Sequence, residues 1–375
     1  MNKEQELSGY VREFWRGKDE ENISFVKKTN EKISKEAARI FEENILIDAC
    51  AYHLSGENWQ TEMSGAAAIC FNILEASDTS AEGVLRQIAE YLDVIRKNSG
   101  RFLNVRKPED IEKAKAVGKL GIILSGQTCD FISYKMVDSY VELFARMGLR
   151  TMNLAYNHRT FAADGSRSGT DAGLTPQGKE LVKAMNRYGI TIDLSHVGRQ
   201  SAKEAMSLTK YPLIYSHSNP EKLFPGSRSV TDEEAKMCAD TGGVMCVSGY
   251  APTLYNGRAP ATIERFVEAV LYYVDLIGAD HVGIGLDSMA EPGSFDLKDT
   301  KMMCDRIESH HEDAACYWEN FNAGYGRQSV STIGLYGIAN HRNITDSLLK
   351  RELSEIEVKK IMGLNLMRVF KETWR

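Results

Sequence analysis

The chain of 375 residues is defined first by what it lacks. No segment approaches the roughly 20 consecutive apolar residues that cross a bilayer. The N-terminal stretch MNKEQELSGYVREFWRGKDEEN is rich in charge and has no apolar core of a secretory signal. A cytoplasmic protein without membrane contact is therefore expected. No basic cluster stands on any segment and the net charge is −6, which leaves no electrostatic footprint for nucleic acid or anionic lipid. A small-molecule partner is expected instead. CxxC spacing is absent, and the seven cysteines (Cys50, Cys70, Cys129, Cys238, Cys246, Cys304 and Cys316) are an odd number. That pattern argues for reduced, mostly buried thiols over a disulfide framework or a zinc–thiolate knuckle. Low-complexity linkers and repeats of 20–50 residues are also missing.

What is present is a regular alternation. Eight short apolar, β-branched runs recur: ILIDAC (45–50), AAAICFNI (66–73), LGIILSG (120–126), LRTMNLA (149–155), GITIDLSH (189–196), PLIYSH (212–217), GGVMCVS (242–248) and HVGIGLD (281–287). Between them lie segments of helical period, such as 80–98, 108–118, 136–148 and 175–189, several ending at glycine. Pro108 and Pro176 stand near helix starts, where a missing N–H costs nothing. Nearly continuous apolar strands alternating with amphipathic helices describe a parallel sheet covered by helices, and eight such units predict an α/β (β/α)₈ barrel. One barrel domain over 1–375 is expected. It comprises an N-terminal helical extension (1–44) that caps the lower face, barrel strands (45–287), a long loop or lid with helical pieces around 298–317 (288–343), and C-terminal helices packed on the barrel (344–375).

Chemistry in such barrels sits at the C-terminal strand ends. Asp48, Cys50, Asn72, Ser125, Tyr156, Asn157, Asp193, His196, His217, Ser248 and Asp287 all fall at or just past those ends. Turns are polar everywhere, yet His196, His217 and Asp287 close otherwise apolar strands. His196 in DLSHVG and His217 in YSHSNP end adjacent strands, which lie about 4.8 Å apart. Two imidazoles so placed can chelate one divalent metal, zinc most readily, and leave a position for water. A single histidine of this kind is more often structural; the pair in register favours a pocket. Asp287 has three readings: metal ligand, general base, or cap of the following turn. Arg228, in FPGSRSV, would be a solvated arginine on its own, but next to this pocket its guanidinium can clamp a substrate carboxylate.

GLTPQGKELVKAMNRYGITIDLSHVG through PLIYSHSNPEKLFPGSRSVTDEEAKMCADTGGVMCVS, then DHVGIGLD and LLKRELSEIEVKKIMGLNLMRVF, resemble the membrane dipeptidase (renal dipeptidase, peptidase M19) family of the amidohydrolase superfamily. The resemblance runs from about residue 40 to 372. It implies a (β/α)₈ barrel, a binuclear zinc site, hydrolysis of dipeptides including some with a D- or dehydro residue, and a homodimer. It assigns His196 and His217 to one metal, Arg228 to the substrate carboxylate, and Asp287 to proton transfer.

The family's His-x-Asp pair and bridging glutamate fall here on Cys50, Tyr52 and Ser125, and a further family histidine falls on Tyr156. Serine cannot replace a carboxylate between two cations, and tyrosine, of pKa about 10, is a poor ligand. LSGQT resembles the GFQN-like segment of a family subgroup, which puts Gln127 in the pocket with Tyr156 as a second specificity residue. The expected cofactor is therefore one zinc or other divalent ion, or none, at His196 and His217 with Asp287 as a possible third ligand. Three functions follow: a single-metal dipeptidase-like hydrolase of small carboxylated amides; a metal-free hydrolase or lyase on a related amide, with Asp287 and a histidine as base and acid; and a non-catalytic ligand-binding homologue. Cys50 activated by His53 or His196 is a lesser, nucleophilic alternative. His158, His310, His311 and His341 read as surface or loop residues, His341 alone being near enough in the sequence pattern to reach the pocket.

Overall fold

The computed structural model describes residues 27–28, 30–52, 54, 59–73, 79–257, 261–289, 332, 334–335 and 337–374. His53, His310, His311, Cys304, Cys316, the first 26 residues and the helical pieces expected around 298–317 lie outside the described residues.

Each of the eight apolar runs forms a strand. In chain order the strands are β1 (Ile47–Tyr52), β2 (Ala68–Asn72), β3 (Phe102–Asn104), β4 (Leu120–Gly126), β5 (Leu149–Asn153), β6 (Thr191–Asp193), β7 (Ile214–Tyr215), β8 (Val244–Ser248), β9 (Val282–Gly285) and β10 (Ser288–Met289). Every pairing is parallel, in the order β10-β1-β2-β4-β5-β6-β7-β8-β9. Because β10 continues β9 after Leu286 and Asp287, its pairing of Ser288 with Ala51 joins the last barrel strand to the first. The sheet is thus a (β/α)₈ barrel, with its strands buried on both faces as their apolar runs require.

Two strands were not expected. β5 pairs with β4 only from Leu124 to Gly126, and β3 takes the first three residues of β4, Leu120 to Ile122. Three residues, Phe102 to Asn104, are too short to show alternation. The two residues of β10 are shorter still.

The helices are α1 (Lys35–Glu43), α2 (Trp59–Met63), α3 (Ala81–Lys97), α4 (Pro108–Ala116), α5 (Val137–Met147), α6 (Pro176–Tyr188), α7 (Arg199–Leu208), α8 (Asp232–Asp240), α9 (Ile263–Ile277), α10 (His341–Leu349), α11 (Glu355–Lys359) and α12 (Asn365–Thr373). Local chemistry sets their ends. The Ser80 and Thr175 hydroxyls accept the N–H groups of Gly83 and Gly178, and Thr231 with Glu234 forms a capping box. Pro108 and Pro176 stand at the first helical positions. Gly189 closes α6 at φ 70°.

The lower end of the barrel is sealed by α12. Its Leu366 and Phe370, with Trp374, join Ile47, Ala49, Ala68, Cys70, Ile214 and Val244 in one buried cluster, and the helix lies against β1, β6, β8 and β9. Trp374 stacks on Phe370 with ring centroids 4.2 Å apart and donates Nε1–H to Thr191 Oγ1 at 3.0 Å. Burying two such aromatics contributes about 1.5–3 kcal/mol each. The sequence reading placed the N-terminal residues at this face. Among the described residues the C-terminal helix occupies it, and α1 packs on α10 instead.

Inside the ring, Gly285 permits a close backbone approach. A Cβ there would stand 1.7 Å from the Ser216 carbonyl oxygen and 3.4 Å from Ala49 Cβ. Gly285→Ala must push β9 away from the strand that carries His217. We expect it to destabilise the protein by about 1–3 kcal/mol in urea unfolding, and an unchanged midpoint would contradict this packing.

Candidate active site

Two buried aspartates set the frame: Asp193 ends β6, whereas Asp48, expected at a C-terminal strand end, is the second residue of β1 because that strand runs on to Tyr52. Asp48 Oδ1 accepts the N–H of Cys50 at 3.1 Å and of Leu286 at 3.0 Å, while Oδ2 meets His341 Nε2 at 2.8 Å with both side chains wholly buried. The Asp287 N–H in turn donates to the Cys50 carbonyl at 2.9 Å. Asp193 works the same way across the barrel: Oδ1 accepts the N–H groups of Ser195 and Ser216, both at 3.0 Å, and Oδ2 accepts the Ser216 hydroxyl. His341, read from sequence as a surface or loop residue, is a buried anchor beneath Cys50. Its partner lies 293 residues away in sequence, so no local pattern marks it.

These contacts orient the two histidines. The Ser216 hydroxyl hydrogen is committed to Asp193, so its oxygen accepts Nδ1–H of His217 at 2.6 Å. His196 Nδ1 donates to Asn157 Oδ1 at 2.8 Å. Both rings therefore present an Nε2 lone pair, and both Nε2 atoms are buried without a hydrogen-bond partner among the described residues. The rings lie 4.9 Å apart between centroids, and the Tyr156 ring covers His196 at 4.2 Å. Burial lowers the pKa of each imidazole: His196 falls well below its ordinary value, helped by Arg228 and His217, while Asp287 opposes the fall for His217. Asn157, His196 and Asp287 adopt left-handed backbone at φ 58°, 69° and 54°. Each such residue costs of order 1–3 kcal/mol and persists only where its surroundings enforce it.

The remaining expected site residues gather opposite. Cys50 Sγ stands 3.5 Å from Asp287 Oδ1 and receives the amide N–H groups of Asn72 at 3.4 Å and Gln127 at 3.5 Å. Burial, and then Asp287, push its thiol pKa well up. The Tyr52 hydroxyl meets the Gln127 amide, with Nε2 at 2.7 Å, and burial beside Asp287 raises its pKa. Ser125 Oγ accepts the Thr151 hydroxyl at 2.6 Å. Arg228 lies half-buried facing Asp287, Tyr156 and Tyr52, whose charges oppose the fall in its pKa that burial causes. No described residue forms a hydrogen bond or ion pair with its guanidinium. A cavity of 180 Å³ opens beside it, lined by Ser166, His196, Ser218, Arg228 and Glu234 among others. His158 is exposed, as expected.

Does this set suit the zinc chemistry that the resemblance implies? Donors about 2.0–2.3 Å from a shared ion stand at most about 4.6 Å apart. Among the described residues, one ligand atom each from Cys50, His217 and Asp287 lie within 4.8 Å of one another. That fits one ion. It does not suit two, because Tyr52 and Ser125, which the resemblance sets at ligand positions, are neutral and engaged with Gln127 and Thr151. The expected chelate paired His196 with His217. The three-donor group instead joins His217 to Cys50 and Asp287 and leaves His196 outside.

The C-terminal mouth of this (β/α)₈ barrel gathers two imidazoles, a carboxylate and a guanidinium that has no hydrogen-bond or ion-pair partner among the described residues. The chain belongs to the membrane dipeptidase family (peptidase family M19), whose family model matches residues 17–321. Dipeptidase tcpJ of Claviceps purpurea is 27% identical over 303 residues, covering 79% of this chain and 62% of the relative. An uncharacterized dipeptidase of Schizosaccharomyces pombe is also 27% identical, over 77% of this chain and 63% of that protein. The chain thus spans somewhat over six-tenths of the length of these curated relatives. Among solved structures, an amidohydrolase from Pseudomonas aeruginosa superposes with a TM-score of 0.77 at 29% identity, covering 90% of this chain and 99% of that one. A metallo peptidase from Rhodobacter sphaeroides, liganded with a phosphinate mimic of the dipeptide L-Ala-D-Ala, superposes with a TM-score of 0.71 at 18% identity. It covers 88% of this chain and 100% of that one, and shows the shared fold. Among the described residues no helix is long and apolar enough to cross a membrane.

Cys50, Cys70, Cys129, Cys238 and Cys246 are free and buried, and burial raises the pKa of each. In chelator-treated native protein at pH 8, mass-spectrometric mapping of alkylation should find all five unmodified, and denaturation should expose them. Rapid native labelling of Cys50 would contradict its placement.

Proposed function

We propose that this chain hydrolyses the amide bond of small substrates that end in a free carboxylate, dipeptides among them. The observation that carries the reading is Arg228: a half-buried guanidinium without a hydrogen-bond partner among the described residues, facing Asp287 across the barrel mouth. A cation in that setting stays desolvated unless an anion arrives, and a carboxylate satisfies its fork bidentately. Membership of a dipeptidase family and the dipeptide mimic bound by the Rhodobacter sphaeroides neighbour support the same substrate class.

Arg228 fixes the carboxylate end, so the scissile amide lies over Asp287 and the histidines. Asp287 accepts the proton of the attacking water and returns it to the departing amine, the exchange that a carboxylate within reach of both groups performs. His196 keeps its Nε2 lone pair because Asn157 holds the Nδ1 proton and burial disfavours the imidazolium. It accepts a hydrogen bond from the substrate without carrying a charge to repel Arg228. Tyr156, stacked on His196, and Gln127, held against Tyr52, wall the pocket and set which side chains enter. Cys50, His217 and Asp287 would hold the one divalent ion, zinc by the family's chemistry, which supplies Lewis acidity toward a carbonyl oxygen and a water.

The test is a panel of L,L and L,D dipeptides and N-acyl amino acids, each with a free or an amidated C-terminus, assayed with added zinc. Free-acid substrates should turn over and their amides should not. Arg228→Lys should lower kcat/KM on the acids by about 10- to 100-fold, chiefly through KM, since one charge-assisted hydrogen bond contributes about 1.5–3 kcal/mol. Asp287→Asn should lower kcat by about 10²–10⁴-fold. Equal turnover of acids and amides, or full activity in Asp287→Asn, would contradict the reading.

A further inference from the structure

We propose that Cys50 is a thiolate metal ligand positioned by the side-chain amides of Asn72 and Gln127. The barrel mouth is then a mixed sulfur, nitrogen and oxygen site that selects thiophilic divalent ions, zinc and cobalt(II), over magnesium and manganese(II). This rests on the reading of the site as a single-ion hydrolytic centre and specifies its chemistry.

Three observations converge on the sulfur. The first is the ligand group itself: Cys50, His217 and Asp287 offer atoms within 4.8 Å of one another. His217 Nε2 is buried and has no hydrogen-bond partner among the described residues, and the ring's tautomer is set by the Ser216–Asp193 chain. Such a chain is the usual outer support of a metal-bound imidazole.

The second is the pair of amides. Asn72 Nδ2 and Gln127 Nε2, from β2 and from the loop after β4, both point at one sulfur at 3.4 and 3.5 Å. A neutral thiol is a weak acceptor and rewards neither donor well, whereas a thiolate accepts both as charge-assisted bonds. The third is charge. Asp287 Oδ1 stands 3.5 Å from the same sulfur, so loss of the thiol proton alone would leave two anions side by side in a buried site. A divalent cation between them removes the repulsion, and with a neutral His217 the three ligands balance its charge. On binding, the S–H bond breaks, the proton leaves to solvent, a metal–sulfur bond forms, and nothing is oxidised or reduced. Soft thiolate donors favour zinc and cobalt(II), while magnesium and manganese(II) suit all-oxygen sites.

Full-length protein stripped with chelator is titrated anaerobically with Co²⁺ and followed by absorbance. One equivalent should bind and produce a sulfur-to-cobalt charge-transfer band in the near ultraviolet. Cys50→Ser should lose that band, and Asn72→Ala or Gln127→Ala should weaken Co²⁺ binding by about 10- to 100-fold, the usual cost of removing an outer-shell partner. Excess Mg²⁺ should not displace the ion. X-ray absorption at the zinc edge of the zinc-loaded wild type provides a reading independent of any variant, with one sulfur at about 2.3 Å expected. One bound ion with neither the band nor the sulfur overturns the thiolate and leaves the single-ion reading standing. No binding of Co²⁺ or Zn²⁺ overturns both, and two equivalents overturn the single-ion centre.

Discussion

The carboxylate of Asp48 is the constraint on which the rest of the mouth depends. A parallel barrel closes only if its last strand finds its first, and here the final ladder is two residues long. Asp48 strengthens that seam by accepting one N–H from each side of it, from Cys50 and from Leu286, while His341 occupies its other oxygen. A buried carboxylate is stable only when its lone pairs are filled, so the three partners are held as firmly as the acid itself. Cys50 and Asp287, which flank the seam, are thereby fixed against one another. Asp193 repeats the device between β6 and β7, and there it aligns His217. The two aspartates place a sulfur, an imidazole and a carboxylate around one point.

That arrangement bears on the proposed single-ion centre, which would have to work without a bridging carboxylate. A bridging carboxylate exists to hold two cations, and without it a second ion has nothing to neutralise it. Gln127 turns an amide donor toward Cys50 and another contact toward Tyr52. With Tyr52 it forms a neutral hydrogen-bonded wall. The charges of Asp287 and Arg228 face one another at the mouth. Strained backbone at Asn157, His196 and Asp287 is affordable because the packed barrel supports it.

Much of the fold was legible because parallel strands buried on both faces must be short apolar runs, and all eight runs became barrel strands. Phe102–Asn104 and Ser288–Met289 escaped notice because two or three residues carry no period. Which terminal helix seals the lower face was not legible for a different reason: amphipathic helices at both termini have the same pattern, and only packing decides which one fits the opening. In the site, His196, His217 and Asp287 stood out as polar groups closing apolar strands, and Arg228 as a loop arginine shortly after His217. Cys50 was visible mainly as a substitution, since its partners His217 and Asp287 lie far along the chain, the latter 237 residues away. Asn72, Asn157, Asp48 and Asp193 were visible as polar strand ends, but which hydrogen bonds they complete is a property of the closed ring.

The central claim is that one ion's worth of ligands survives, on the seam and not between the two histidines. Anomalous diffraction from crystals of the zinc-loaded protein at the zinc edge tests it most directly. The account predicts a single peak within bonding distance of Cys50 Sγ, His217 Nε2 and an Asp287 oxygen. Two peaks, or one peak shared by His196 and His217 and remote from Cys50, would contradict it.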